Sequence, residues 1–148
     1  MRDFSLHLPI NSVSFGQVSV ALLREFHARG LQPCLFPISD QYDLSAQDDL
    51  SDDFQKWITS CLNKRHEQHS RKNPIFKLWH LNGSLESFSE KQILFSFHEL
   101  DEITPTEKNI ANNNKLIVSS SFSKEVFESN GVNDVTNIPL GFDSHNFK

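Results

Sequence analysis

A chain of 148 residues that is 37% hydrophobic and uses Phe 13 times can bury about two-thirds of its unfolded surface around one core. Its 14 Lys and Arg stand against 19 Asp and Glu, a formal net charge of -5, which disfavours phosphate-backbone binding and sets nucleic acid aside as a partner. Cys34 and Cys61 read as reduced, packed thiols, and residues 1–10, broken by Arg2, Asp3, His7 and Pro9, form neither a signal peptide nor a transmembrane segment, so the expected compartment is the cytoplasm.

Strand-like runs alternate with helical patterns along the chain. Residues 4–8 alternate as a strand, and 9–16 form a polar loop. From 17 to 29, Val18, Leu22, Leu23 and Phe26 recur at helical spacing, and Gly30 supplies a C-terminal stop. A second strand is expected over 34–38. Residues 41–53 are acidic and turn-rich, after which Phe54, Trp57, Ile58, Cys61 and Leu62 mark the apolar face of a second helix that fades into a solvated stretch over 64–72. Residues 76–81, closed by Asn82 and Gly83, predict a third strand, and 93–97 a fourth. Thr104, Pro105 and Glu107 open a short helix. Residues 116–118 predict a buried strand, and the hydroxyls of 119–123 can satisfy the amides of the helix that follows. Val126 and Phe127 give that helix its apolar face, and Asn130-Gly131 end it. Residues 135–140 predict a last strand, turned out of the sheet by Pro139 and 141–143. Such alternation predicts an α/β class, a Rossmann-like parallel sheet with helices on both faces, whose ligands bind beyond the carboxyl ends of the strands.

Candidate residues cluster in the loops at that end. Gly16 lets backbone approach a ligand, and the amides of Gly16, Gln17 and Val18 can face a diphosphate; the competing reading is a structural helix entry. His98 can hydrogen-bond sugar hydroxyls and Glu99 can accept from paired ones, against a reading of Glu99, Asp101 and Glu102 as a solvated lead-in. His80 and Asn82 either line the same cleft or form a strand end and a turn. Ser121 and Ser123 read as capping residues at a helix start that can also hold an acceptor phosphate. His66 and His69 lack a third ligand, so no metal is expected. The absence of a G-x-G-x-x-G run disfavours a nicotinamide cofactor, and none is expected.

The run KLIVSSSFSKEVFESNGVNDVTNIPLGFDSHNF over 115–147 resembles the end of the N-terminal domain of GT-B fold glycosyltransferases, family 4 in particular. The pattern there is strand, Ser-x-Phe-Ser/Thr, helix, Gly-Val, strand, Pro-x-Gly-x-Asp and a following Phe. Ser121, Phe122, Ser123, Gly131, Val132, Pro139, Gly141, Asp143 and Phe147 fall at those positions. Residues 95–120 are similar to the strand, acidic Phe/His-Glu turn and Pro-led helix that precede it, and LPINSVSFGQVSVALLREFHARG to the first strand, glycine-bearing loop and helix.

The resemblance implies a transferase of carbohydrate biosynthesis that moves a sugar from a nucleotide-sugar donor to a sugar or glycan acceptor. Residues 1–140 would be the acceptor-side, N-terminal half of the GT-B fold and 141–148 the start of the interdomain linker. The C-terminal donor domain is absent, with no Glu-x7-Glu motif or basic pair, so the isolated chain is expected to be inactive or nearly so, whether as a truncated product or as one half completed by a second polypeptide. In the completed enzyme, transfer would pass through an oxocarbenium-like transition state, with helix-start amides near Gly16 holding the leaving diphosphate and His98 or Glu99 positioning the acceptor. The alternative is a non-catalytic α/β binding or interaction module, marked by an exposed apolar patch near Phe142 and Phe147.

Overall fold

The computed structural model describes residues 3–47, 50–98 and 100–140. In chain order they form β1 (Ser5–Ile10), α1 (Ser14–Ala28), β2 (Cys34–Tyr42), α2 (Asp52–Glu67), β3 (Ile75–Leu78), β4 (Gln92–Phe95), α3 (Pro105–Asn112), β5 (Lys115–Val118), α4 (Ser121–Ser129) and β6 (Val135–Asn137). Six strands, all parallel, lie in the order β2-β1-β3-β4-β5-β6, which is the α/β, Rossmann-like class that the alternation predicts. Among the described residues no helix is long and apolar enough to cross a membrane.

Because partners in a parallel ladder share a face, the register sorts the core into two layers. On the first face Leu6, Leu8, Leu35, Leu78 and Phe95 meet Val20 and Leu23 of α1 and Phe54, Ile58 and Cys61 of α2. On the second, Leu94, Leu116 and Val118 meet Ile110 and Ala111 of α3 and Phe127 of α4. Helices therefore cover both faces, α1 and α2 at the β2 side of one and α3 and α4 at the β6 side of the other. Cys34 and Cys61 are free, buried thiols. Burial pushes both up, Cys61 to about 12, so they behave as packing groups rather than nucleophiles.

The ends of the elements follow local chemistry. After α1 and α4, Gly30 (φ 70°) and Gly131 (φ 85°) take the left-handed conformation, and the amides of Leu31 and Val132 reach back to the carbonyls of Phe26 and Phe127. Thr104 accepts from the Glu107 amide at 3.1 Å while Glu107 accepts from the Thr104 amide at 3.0 Å, with Pro105 at the first helical position. Thr104→Ala is expected to cost about 1 kcal/mol in a urea unfolding curve, and an unchanged midpoint would show that this reciprocal cap contributes nothing.

Several bounds differ from the sequence expectation: α1 opens at Ser14 rather than at 17, β3 ends at Leu78 rather than at 81, β6 ends at Asn137 rather than at 140, and β2 changes most. β2 does not end near residue 38: the chain bulges through Ser39 and Asp40, both at φ 55°, and Tyr42 returns to pair with Ile10. The link from β3 to β4, residues 79–91, contains no helix, so the second face over β1, β2 and β3 is closed by irregular chain. Phe88 from that link stacks on Phe36 at 4.4 Å, His69 joins Ser5 to the Phe88 carbonyl at 2.8 Å each, and Arg71 holds the Ser87 carbonyl at 3.1 Å.

Candidate functional site

The chain leaves β1 toward β2 on one side while β3 pairs on the other, so the strand order reverses between β1 and β3. At such a switch point the loops diverge and open a crevice at the carboxyl ends. The first turn of α1 enters this crevice. Its N-cap, Val13, has no side-chain acceptor, whereas Ser51, Thr104 and Ser120 cap the other three helices. Asn11 accepts from the Val13 amide at 3.1 Å and shapes the approach.

Gly16 lies inside this turn rather than in the loop before it. A Cβ there would stand 2.0 Å from the Asn11 carbonyl oxygen, so the close approach that requires glycine is to the protein's own backbone. The Gln17 amide is bonded to the Val13 carbonyl at 3.1 Å, and the Gln17 side chain accepts from Gln47 at 3.0 Å. Next to Gly16, Phe15 packs inward and gathers three aromatic rings. Phe97 stacks on it at 5.0 Å, Trp79 lies at 6.0 Å and His80 meets it edge-on at 4.7 Å. His80 is exposed and Trp79 half-buried, so this aromatic patch has a solvent face beside the start of α1. Asn82 and Gly83 form the turn that follows, with Gly83 at φ 88° and the Ser84 amide bonded to the Leu81 carbonyl at 3.0 Å.

His98 stands apart from that patch. Its Nε2 donates to the Glu102 carbonyl at 3.0 Å, its Nδ1 lies 3.7 Å from the Glu107 carboxylate, and its ring packs on Phe127 at 5.0 Å. The Ser123 hydroxyl donates to the His98 carbonyl. His98 thus braces the exit of β4 against the starts of α3 and α4. Glu99 lies outside the described residues, as do residues 141–148. Ser121 is exposed on the first turn of α4, while Ser120 provides the cap, accepting from the Ser123 amide at 3.1 Å. His80 therefore meets Phe15 beside Gly16, Gln17 turns to Gln47, and His98 is tied to α4 through Ser123 and Phe127, with Ser121 exposed on the same first turn.

Sequence reasoning passed over two groups on the second face. His7 and Lys77 are paired in register at the centre of the sheet, and burial lowers both side chains' proton affinity. His7 falls to about 4, pushed first by burial and then by the Lys77 charge; Lys77 is lowered by burial, partly opposed by the Glu86 carboxylate. The signal was available as a single lysine inside the strand Ile75–Leu78. Among the described residues no group of three His, Cys, Asp or Glu is placed to hold a metal ion.

The loops at the carboxyl ends also carry exposed apolar side chains. Val13, Leu100, Phe122, Ile138 and Leu140 are each about half or more exposed, and each follows the end of a strand. They form an apolar rim around the crevice's end of the sheet. No family model, curated protein or solved structure matches the chain.

Proposed function

We propose that this chain is the acceptor-side half of a glycosyltransferase of the GT-B type, part of an enzyme that moves a sugar from a nucleotide-sugar donor to a sugar or glycan acceptor. The observation that carries this reading is the meeting, at the β1/β3 switch point, of a helix start without a capping side chain and a partly exposed patch of Trp79 and His80. Helix-start amides favour a diphosphate, and aromatic faces favour the C–H surface of a sugar ring. In this reading the open first-turn amides of α1, up to that of Gly16, hold the leaving diphosphate, while Gln17, whose amide is bonded to the Val13 carbonyl, only flanks them, and His80 with Asn82 borders the sugar. His98 fixes the β4 exit so that Glu99, the next residue, accepts from acceptor hydroxyls, with Ser121 on the far side. In this reading a donor-binding unit covers the exposed apolar side chains at this end of the sheet. Two buried, free thiols fit a reducing compartment, and we place the reaction in the cytoplasm.

The same apolar rim favours a second reading, a non-catalytic interaction module that docks a partner through Phe122, Ile138 and Leu140. Trp79 separates the two. In a Trp57→Phe background Trp79 is the sole fluorophore of its type. Titration with nucleoside diphosphate sugars and simple sugars is expected to change its emission saturably, and His80→Ala should weaken that response roughly fivefold. Emission unmoved by either ligand class up to about 10 mM would remove the sugar reading and leave the docking one.

A further inference from the structure

The second face holds a pocket whose polar groups, His7 and Lys77, the sugar-transfer reading does not use, although Trp79 borders both. The row Phe36, His7, Lys77 runs across β2, β1 and β3 and lies beneath the irregular 79–91 link, where a doubly wound sheet would normally present apolar side chains to a helix. Lys77 is 3% exposed. Its ammonium donates to the carbonyls of Gly83 at 3.2 Å and Glu86 at 3.4 Å, which takes two of its three protons. Among the described residues it forms no ion pair, because Glu86 approaches through its main chain and leaves its carboxylate in solvent. Beside it, the Nδ1 of His7 is buried and has no hydrogen-bond partner among the described residues. A buried ammonium without a direct ion pair, which the Glu86 carboxylate offsets only in part, and a buried ring nitrogen without a partner are both costly, and one ligand can satisfy both.

Space for that ligand is present. A cavity of about 300 Å³ opens over His7 and Lys77 between the bulge of β2 and the carboxyl end of β3, with Ser39 and Ser87 offering hydroxyls and Trp79 and Phe88 forming an apolar wall. Ser39, at φ 55°, lines this cavity, and Asp40, also at φ 55°, lines the neighbouring one; residues held at such a φ cluster at ligand sites. A neighbouring cavity of about 540 Å³ shares His7, Ser39 and Phe88 and reaches Arg65 and His66. We propose that this pocket binds a small organic oxyanion, a phosphomonoester or a carboxylate, whose negative group pairs with Lys77 and accepts a hydrogen bond from Nδ1 of His7, while its carbon body lies against Trp79 and Phe88.

An oxyanion only accepts, so His7 must present a proton at Nδ1, and the ligand's charge favours the imidazolium. The other charged groups around His7 are Lys77 on β3, Glu86 on the link, Asp40 on the bulge, Arg65 and His66 on α2, and His69 beyond it; Arg65 is occupied by Asp40 at 3.4 Å and His69 by Ser5. Binding therefore takes up a proton and strengthens as pH falls.

The test is a sulfate titration of the full chain followed through the ring ¹⁵N signals of His7, with acetate in parallel. Sulfate stays dianionic across the range, so any pH dependence belongs to the protein. It is expected to bind at least about threefold more tightly at pH 5.5 than at pH 7.5. Glu86→Gln, which removes a repelling charge from the exposed rim and keeps the main-chain carbonyl bonded to Lys77, should tighten sulfate about two- to threefold; Lys77→Met should abolish binding. A preference for sulfate assigns the phosphomonoester and a preference for acetate the carboxylate. His7 signals that move with neither anion up to about 10 mM, or that respond identically in Glu86→Gln and Lys77→Met, would overturn the assignment.

Discussion

Replacing Gly16 by alanine is expected to lower the unfolding free energy by about 2–3 kcal/mol, read as a fall in the urea midpoint. Two effects oppose each other at this position. Alanine is favoured over glycine inside a helix by about 1 kcal/mol, and Gly16 is the third residue of α1. Against that gain, the new Cβ would stand 2.0 Å from the Asn11 carbonyl oxygen and 2.7 Å from its carbonyl carbon. Those are main-chain atoms at the end of β1, not the tip of a flexible side chain, so relief requires α1 to move away from the strand. That movement carries Phe15 with it and loosens its contacts to Phe97, Trp79 and His80. The steric term therefore exceeds the propensity gain. A variant as stable as the parent, or more stable, would show that the start of α1 is not seated on Asn11 and that Gly16 has room for a ligand instead.

Features written in one residue type at one position were legible from the chain. Gly30 and Gly131 end their helices because each helix end needs a positive φ that other residues resist, and the Thr104, Pro105, Glu107 sequence forms the reciprocal cap its spacing predicts. Features that depend on pairing across the sheet were hidden. Nothing local in the acidic stretch after Asp40 says that Tyr42 will return to Ile10, since that pairing is rewarded only once β1 is in place. The 79–91 link carries no periodicity, and its role as the cover of the second face comes from Phe88 finding Phe36 and from Lys77 tying down two carbonyls. Strand parity also separates candidate residues that are neighbours in the chain. Phe95 and Phe97 belong to the first face, so the extended chain sends His98 to the second, against Phe127, although it is one residue from a side chain that stacks on Phe15. A motif read in one dimension groups neighbours that a sheet separates.

Acidification is expected to weaken the fold through His7. In the folded chain its imidazole gains a proton only near pH 4, because burial and then the Lys77 charge oppose it, while in the unfolded chain it does so near its ordinary 6.5. Above pH 6.5 both states are neutral at this residue and the stability is present in full. Between 6.5 and 4 the unfolded state binds a proton that the folded state refuses, so stability falls with pH by up to about 1.4 kcal/mol per unit. With a discount for the part of the ring that solvent reaches, the loss over that window is about 2–3 kcal/mol. His7→Phe should remove this component, since an aromatic ring edge-on to Phe36 and tilted against Phe88 keeps those ring contacts while deleting the unpartnered nitrogen. Urea unfolding at a series of pH values from 7 to 4 is expected to give two curves that converge or cross at neutral pH and separate as the solution is acidified, with the parent chain falling faster. Carboxylates elsewhere titrate in both proteins and cancel in the difference. Parallel curves would mean that the ring gains its proton at an ordinary pH, and that the space around Nδ1 is already filled by water rather than held dry against the sheet.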